Sequence, residues 1–285
     1  MNWSFYVIAA KILKDSIAPN NCRLTTMEWT YPRFIHSEIM THRKLSRNSA
    51  SSRAIPLAKM IERVINDPVI PIHWGKNQKG MQASEELGDE QKRLALFYWL
   101  TARDSAIVAA KEMERIGLHK QLANRLLEPW MWITIIVSAT NFENLFALRC
   151  HKDAEPHFQD LAYKARAAYD QSTPDAVDWG EWHLPLVDDI PNGPKISVDD
   201  IPYYAKVSAG RCARVSYLTH EGKRDLKEDV KLYERLAGHY PMHASPLEHP
   251  AMACHYNELN DWGNYDPGWL QLRKMVAGEN ITKRV

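Results

Sequence analysis

Long amphipathic runs interspersed with short β-rich segments predict an α+β fold with long helices packed on a mixed or antiparallel sheet. Residues 83–117 set Leu87, Leu94, Leu96, Trp99, Leu100, Ala106, Val108 and Ile116 among charges, the pattern of a long amphipathic helix with room for one break. Residues 131–138 (MWITIIVS) are apolar and rich in β-branched side chains, which suits a buried strand. No tandem repeat at a solenoid period is present.

Taken in order, residues 4–13 and 23–30 read as strands, and Pro32 opens a helix running to about His42. Residues 57–66 look helical, and a short helix at 119–128 ends before Pro129. Helices follow at about 141–149 and 153–171. Residues 172–200 hold Pro174, Pro185, Pro191 and Pro194 with Gly180 and Gly193, the composition of a linker or long surface loop. Beyond it, helical stretches near 206–216 and 225–238 precede a strand-like piece at 250–256 and a final helix near 267–276. The chain thus divides into regions 1–171 and 201–285, joined by 172–200, the second region completing one domain with the first.

The 285 residues are 45% apolar, enough for one large domain or two small ones with a sizeable core. A formal net charge of +1 points neither to nucleic acid nor to an acidic membrane surface. No apolar run approaches the roughly 20 residues of a membrane span, and the N-terminus lacks the pattern of a secretory signal, so a cytoplasmic location is expected. Cys22, Cys150, Cys212 and Cys254 are scattered, which suits reduced thiols rather than a metal site.

Residues 42–53 (HRKLSRNSASSR) combine basic, hydroxyl and amide side chains without a carboxylate; Glu38 is the last acid before them and Glu62 the next. Fixed cations beside many donors suit a phosphate-bearing ligand. The apolar run Phe34, Ile35, Ile39 and Met40 anchors this stretch to a core, and its Ser/Asn content suits a structured turn. Residues 243–249 read His-Ala-Ser-Pro-Leu-Glu-His, and residues 144–149 read Asn-Leu-Phe-Ala-Leu-Arg. His243 and His249 could belong to a metal site, but no third ligand stands at metal spacing.

These stretches resemble motifs of the flavin-dependent thymidylate synthases, the ThyX family. The family signature R-H-R-x-x-S-x-N-E-x-S-x-R is matched at His42, Arg43, Ser46, Asn48, Ser51 and Arg53, and departs at Thr41 and Ser49. Residues 243–249 resemble the family's H-x-x-P-F-E-H, residues 211–217 its A-A-R-x-S-Y stretch, and residues 144–149 its N-F-L-x-L-R segment. In the family the elements resembled by residues 243–249 and 211–217 precede the R-H-R signature; here they follow it by about 200 residues, so the chain resembles a circularly permuted or rearranged member. Residues 268–274 are faintly similar to the helix that precedes R-H-R.

The resemblance implies a C5 methylation of dUMP to dTMP, with FAD bound between subunits of a homotetramer and with NADPH and methylenetetrahydrofolate as co-substrates. It implies that Arg149 polarises the pyrimidine, with Ser51 as the other catalytic candidate. Arg53, Arg125, Glu38 and Ser49 fall at nucleotide positions. His42, Arg43, Asn144, Ser216, His243, Ser245 and Glu248 fall at flavin positions. Glu38 stands where the family often has Gln, and a carboxylate there would repel a phosphate. The departures at Thr41 and Ser49 leave dCMP, or a hydroxymethyl product, as an alternative outcome. Competing readings are a thiol-dependent C5-transferase using Cys150, a nucleic-acid-binding module using Arg43, Lys44, Arg47 and Arg53, and a catalytically dead relative.

Overall fold

A computed structural model describes residues 7–49, 53, 55–80, 82–187, 201–217, 225–255 and 263–279. A five-stranded sheet in the order β3-β4-β2-β1-β5 forms its centre, and a three-stranded sheet β6-β7-β8 lies beside it. The strands of the large sheet are β1 (Ala9–Ile17), β2 (Arg23–Pro32), β3 (Ser46–Ser49), β4 (Trp132–Ala139) and β5 (Asp175–Ala176). All pair antiparallel except β5, which runs parallel to β1. The small antiparallel sheet is β6 (Trp182–His183), β7 (Ala251–Ala253) and β8 (Trp269–Gln271).

The helices are α1 (His36–Ile39), α2 (Leu57–Asn66), α3 (Asp89–Arg115), α4 (Lys120–Ala123), α5 (Glu143–Arg149), α6 (Pro156–Gln171), α7 (Tyr203–Tyr217), α8 (Leu226–Ala237) and α9 (Leu272–Met275). Strand alternation sends Ile135 and Val137 of β4 toward α5 and α6, where they meet Trp29, Phe142, Phe158 and Leu161. Ile136 faces the other way and packs on Cys212 and Val215 of α7. Because β4 is covered on both faces, it reads as a continuous apolar run rather than an alternating one. A separate core joins α2, α3 and the 3-10 segment Asn124–Trp130 through Leu57, Met60, Val64, Ile107, Ala110 and Leu127.

Several sequence expectations shift. The first strand runs over Ala9–Ile17 and so extends past the expected end at 13, because the turn after it fixes the pairing Ile17↔Arg23 and draws polar residues into the strand; residues 4–6 of the expected span lie outside the described part. Its Asp15 is 5% exposed and is held by Arg23 and by the Thr25 hydroxyl. The helix expected from Pro32 to His42 is one 3-10 turn over Arg33–Ile35 plus the single turn α1. Arg47 Nη1 ends it by donating to the carbonyls of Ile39, Met40 and His42. The final helix shrinks to α9, because Trp269–Gln271 pair with β7 instead. The expected linker contributes β5 to one sheet and β6 to the other as far as residue 187; residues 188–200 lie outside the described part.

Helices α7 and α8 cross at Gly210. A Cβ there would lie 2.1 Å from the Asp229 carbonyl oxygen, so only glycine permits the approach. Asp229 is fully buried and receives Arg211 Nε at 3.0 Å and Arg214 Nε at 2.6 Å. Arg211 also donates to the Leu186 carbonyl, tying α7 to the chain that leaves β6.

Between the sheets runs a fully buried polar chain. Ser16 Oγ lies 2.9 Å from His183 Nδ1, His183 Nε2 lies 2.7 Å from Thr26 Oγ1, Thr26 Oγ1 lies 2.6 Å from Ser138 Oγ, and Ser138 Oγ lies 2.8 Å from His249 Nδ1. All five residues have no exposed surface, and His249 Nε2 has no hydrogen-bond partner.

Candidate active site

Two stretches far apart in sequence, 38–42 and 149–158, converge at the C-terminal end of α5. Arg149, its last residue, donates from Nε to His42 Nε2 at 3.0 Å and sets Nη1 3.4 Å from Glu38 Oε2. Beneath the guanidinium lies Phe158 of α6, its ring centroid 4.5 Å from Cζ, and His42 meets the same ring edge-on at 5.5 Å. A cation over an aromatic face is held in plane and partly desolvated while its donors stay directional. The α5 segment reaches this point because Leu145 and Phe146 bury toward the sheet, leaving Arg149 half-exposed at the helix end.

Electrostatics fix the protonation states. Burial, then the charges of Arg149 and Arg47, lower the His42 pKa and keep its imidazole neutral, as a ring accepting at Nε2 must be. The Glu38 pKa is raised, first by burial and then by neighbouring Glu155, against the opposing pull of Arg149. Glu38 therefore acts as an internal counter-ion to Arg149 whose charge is held less firmly than that of an ordinary surface carboxylate.

The residues 42–53 divide between two roles. Ser46 and Asn48 face inward from β3: Ser46 Oγ accepts from Gln271 Nε2, and Asn48 Nδ2 donates to the Cys212 carbonyl. They fasten β3 to the small sheet and to α7. Arg47 faces the opposite side and braces the loop that carries His42. Ser49 is half-buried in register with Ile135. Arg43 and Arg53 are exposed, and neither has an ion-pair partner among the described residues. Lys44 is taken by Asp266, which also holds Thr140 just before α5. Ser51 lies outside the described residues.

Other candidates are placed less centrally. Arg125 is exposed, 3.8 Å from Glu128, and shares no hydrogen bond or ion pair with the Arg149 group. Asn144, His243 and Ser245 are exposed, His243 packing edge-on against His239. The Glu248 carboxylate is committed to an ion pair with Arg273, and its carbonyl receives Tyr265 and Gln271. Arg214, within the stretch at 211–217, is spent on Asp229. Ser216 belongs to α7, and its side chain lies outside the described part. Among the described residues no group of His, Cys, Asp and Glu is arranged to hold a metal.

Sequence reasoning missed Phe158, the platform under Arg149, because it is one apolar residue among many on α6. It also missed Arg273, the partner of Glu248, since the segment 269–271 read as helix. The role of Arg47 as a brace carried a signal, a cation shortly after a short helix.

No protein-family model matches the chain, and no curated protein matches its sequence. Among solved structures, the chain is similar to the UMP/dUMP methylase PolB from Streptomyces cacaoi bound with 5-Br UMP. The TM-score is 0.50 at 12% identity, over 60% of this chain and 92% of that one. A second structure of PolB, bound with 5-Br dUMP, superposes with a TM-score of 0.41 at 14% identity, over 52% of this chain and 66% of that one. At this identity the likeness is one of fold, and the α+β architecture of the chain is that of the first PolB structure.

Proposed function

We propose that the chain is an enzyme that methylates C5 of a pyrimidine nucleoside monophosphate, with dUMP as first substrate. The observation that carries the reading is the Arg149 site: one arginine oriented by neutral His42, seated on Phe158 and balanced by a weakly held carboxylate. With Nε on His42 and Nη1 facing Glu38, Nη2 is left to donate to a carbonyl oxygen of the base. A cation fixed there draws density from the ring and would stabilise the negative charge that develops on that oxygen as the C5 proton is removed. Exposed Arg53 would meet the phosphate, with exposed Arg125 as a second cation.

The residues present suit a flavin in part. Exposed Arg43, Asn144, His243 and Ser245 offer donors to FAD and its pyrophosphate, whereas Glu248 is already paired with Arg273. Bound FAD would supply the redox chemistry, with NADPH as reductant and methylenetetrahydrofolate as one-carbon donor. We assign the chain to a rearranged ThyX-like architecture working as a homotetramer. The thiol route through Cys150 is disfavoured, because burial raises that thiol's pKa and its side chain packs against the main core.

The deciding experiment is a C5-proton release assay on dUMP with folate, NADPH and FAD, run beside retention of flavin after desalting. Formation of dTMP with flavin retained supports the proposal. Turnover of dCMP instead, or a hydroxymethyl product, keeps the site and changes its substrate or outcome. A protein that retains no flavin and alkylates neither nucleotide overturns the reading.

A further inference from the structure

Four consecutive residues, Asn264 to Pro267, each hold a different part of the fold. Asn264 Nδ2 donates to Ser46 Oγ at 3.3 Å, and the Tyr265 hydroxyl donates to the Glu248 carbonyl. The Pro267 carbonyl accepts from Asn20 Nδ2, in the turn between β1 and β2, at 2.9 Å. The segment is thereby fixed on either side of Asp266. Asp266 in turn meets the flanks of both stretches that build the Arg149 site. Its Oδ1 receives Lys44 Nζ at 2.9 Å, two residues after His42. Its Oδ2 accepts from Thr140 Oγ1 at 2.8 Å, and its amide donates back to that oxygen at 3.0 Å. Thr140 stands just before α5, whose last residue is Arg149.

We infer that Asp266 is a positioning residue, which sets the loop of His42 against the start of α5 and so sets Arg149 Nε on His42 Nε2. The inference rests on the proposed function for what the site does, but not for how the site is held. The reciprocal bonds with Thr140 fix the Asp266 carboxylate, and Lys44 comes to it. Burial alone would raise the Asp266 pKa; the bonds from Lys44 and Thr140 and the charge of Lys44 outweigh it and hold the pKa below the usual value. Both oxygens therefore stay acceptors at neutral pH. An ion pair as exposed as Lys44 with Asp266 adds little to stability, so its consequence is orientation. α5 is seven residues long, a rigid rod of about 10 Å, and a displacement of its first turn reaches Arg149. Arg47 holds the same loop by its carbonyls, whereas Asp266 refers that loop to α5.

Titration of the His42 ring by nuclear magnetic resonance tests this without substrate or flavin, the signal being the one lost in His42→Gln. In wild type the pKa lies below the ordinary histidine value, because the ring is buried and faces Arg149 and Arg47. Asp266→Asn separates two effects by sign. Removing a negative charge and leaving Lys44 unpaired lowers the pKa of a nearby histidine; releasing the ring from burial and from Arg149 raises it. The expected result is a rise toward about 6.5 in Asp266→Asn, and likewise in the uncharged change Thr140→Val, with the circular dichroism spectrum unchanged. Thr140→Ser, which keeps the hydroxyl, should titrate as wild type. In the C5-methylation assay Asp266→Asn and Thr140→Val should lower kcat about tenfold or more with flavin retention unchanged. A His42 pKa that stays or falls in either folded variant overturns the inference, even where the unfolding midpoint drops, since Asp266 would then be a structural tie alone. A wild type without turnover counts against the proposed function, and the titration decides the positioning separately.

Discussion

On the proposed function, Glu38 and Arg149 form a pair that a nucleotide would have to disturb. A pyrimidine or phosphate oxygen approaching the guanidinium competes with a carboxylate already 3.4 Å away. Glu38→Gln should therefore tighten dUMP binding about 3- to 10-fold at neutral pH. Because the Glu38 pKa is raised, its charge is lost at a higher pH than usual, so the advantage of Gln should fade as pH falls through that pKa. Calorimetric titration across pH checks this, and weaker binding by the variant would instead make Glu38 a direct ligand of the nucleotide. Arg149→Lys keeps the charge but loses the planar fork and the Nε bond to His42. It should lower kcat by about 100-fold in the C5-methylation assay with little change in flavin retention. Arg149, His42 and Glu38, which the structure brings together, were each singled out in the sequence as candidates through the motifs that resemble the family. Their platform Phe158 was not, because a ring that supports an arginine looks the same in sequence as one that fills a core.

Elements were legible where one periodicity dominates. α2 is predicted over the residues it occupies, and β4 is displaced by one residue, because an amphipathic stripe and a β-branched run each leave one economical solution. β3 was not legible: Ser46–Ser49 contains no apolar residue and forms a strand only because β4 offers an edge and Ser46 and Asn48 find partners across the layer. The same holds for β8, where pairing with β7 overrides local helical preference. The α7–α8 crossing gives a test of packing at this scale. In an exposed helix Gly→Ala gains about 0.5–1 kcal/mol. At Gly210 the new methyl would press on a backbone carbonyl oxygen at 2.1 Å, and overpacking of about 1–3 kcal/mol should win. Urea unfolding of Gly210→Ala is expected to show a lower midpoint with an unchanged m-value; an unchanged or raised midpoint would mean that α8 can move aside.

The whole molecule carries an acid liability. Burial lowers the pKa of His36 to about 4 and of His249 to about 3, and takes His183 well below its ordinary value. Each is neutral in the fold yet takes a proton in the unfolded chain below about pH 6.5. The unfolded state then binds more protons, so stability rises with pH and is lost as pH falls below about 6.5, continuing until each folded pKa is reached. For the fully buried pair His183 and His249 the slope is about 1.4 kcal/mol per pH unit each. Chemical denaturation between neutral pH and about pH 5 should show this loss, and His183→Gln should flatten it. A stability that held constant over that interval would show that these rings are protonated in the fold. The division of the chain proposed from sequence placed a linker where residues 175–183 supply a strand to each sheet. Proline and glycine counts do not report that two edges nearby await a partner.

The buried chain from Ser16 to His249 has one further property. Each hydroxyl in it carries a single proton, so neither Thr26 nor Ser138 can donate to both of its neighbours in the row. Where every bond runs one way, from His249 Nδ1 through Ser138 and Thr26 to His183 Nε2 and from His183 Nδ1 to Ser16, both rings carry their proton on Nδ1. With the run reversed, both carry it on Nε2. Along such a run the tautomer of the imidazole in the small sheet matches that of the one beside β7, read across the hydroxyls of β2 and β4.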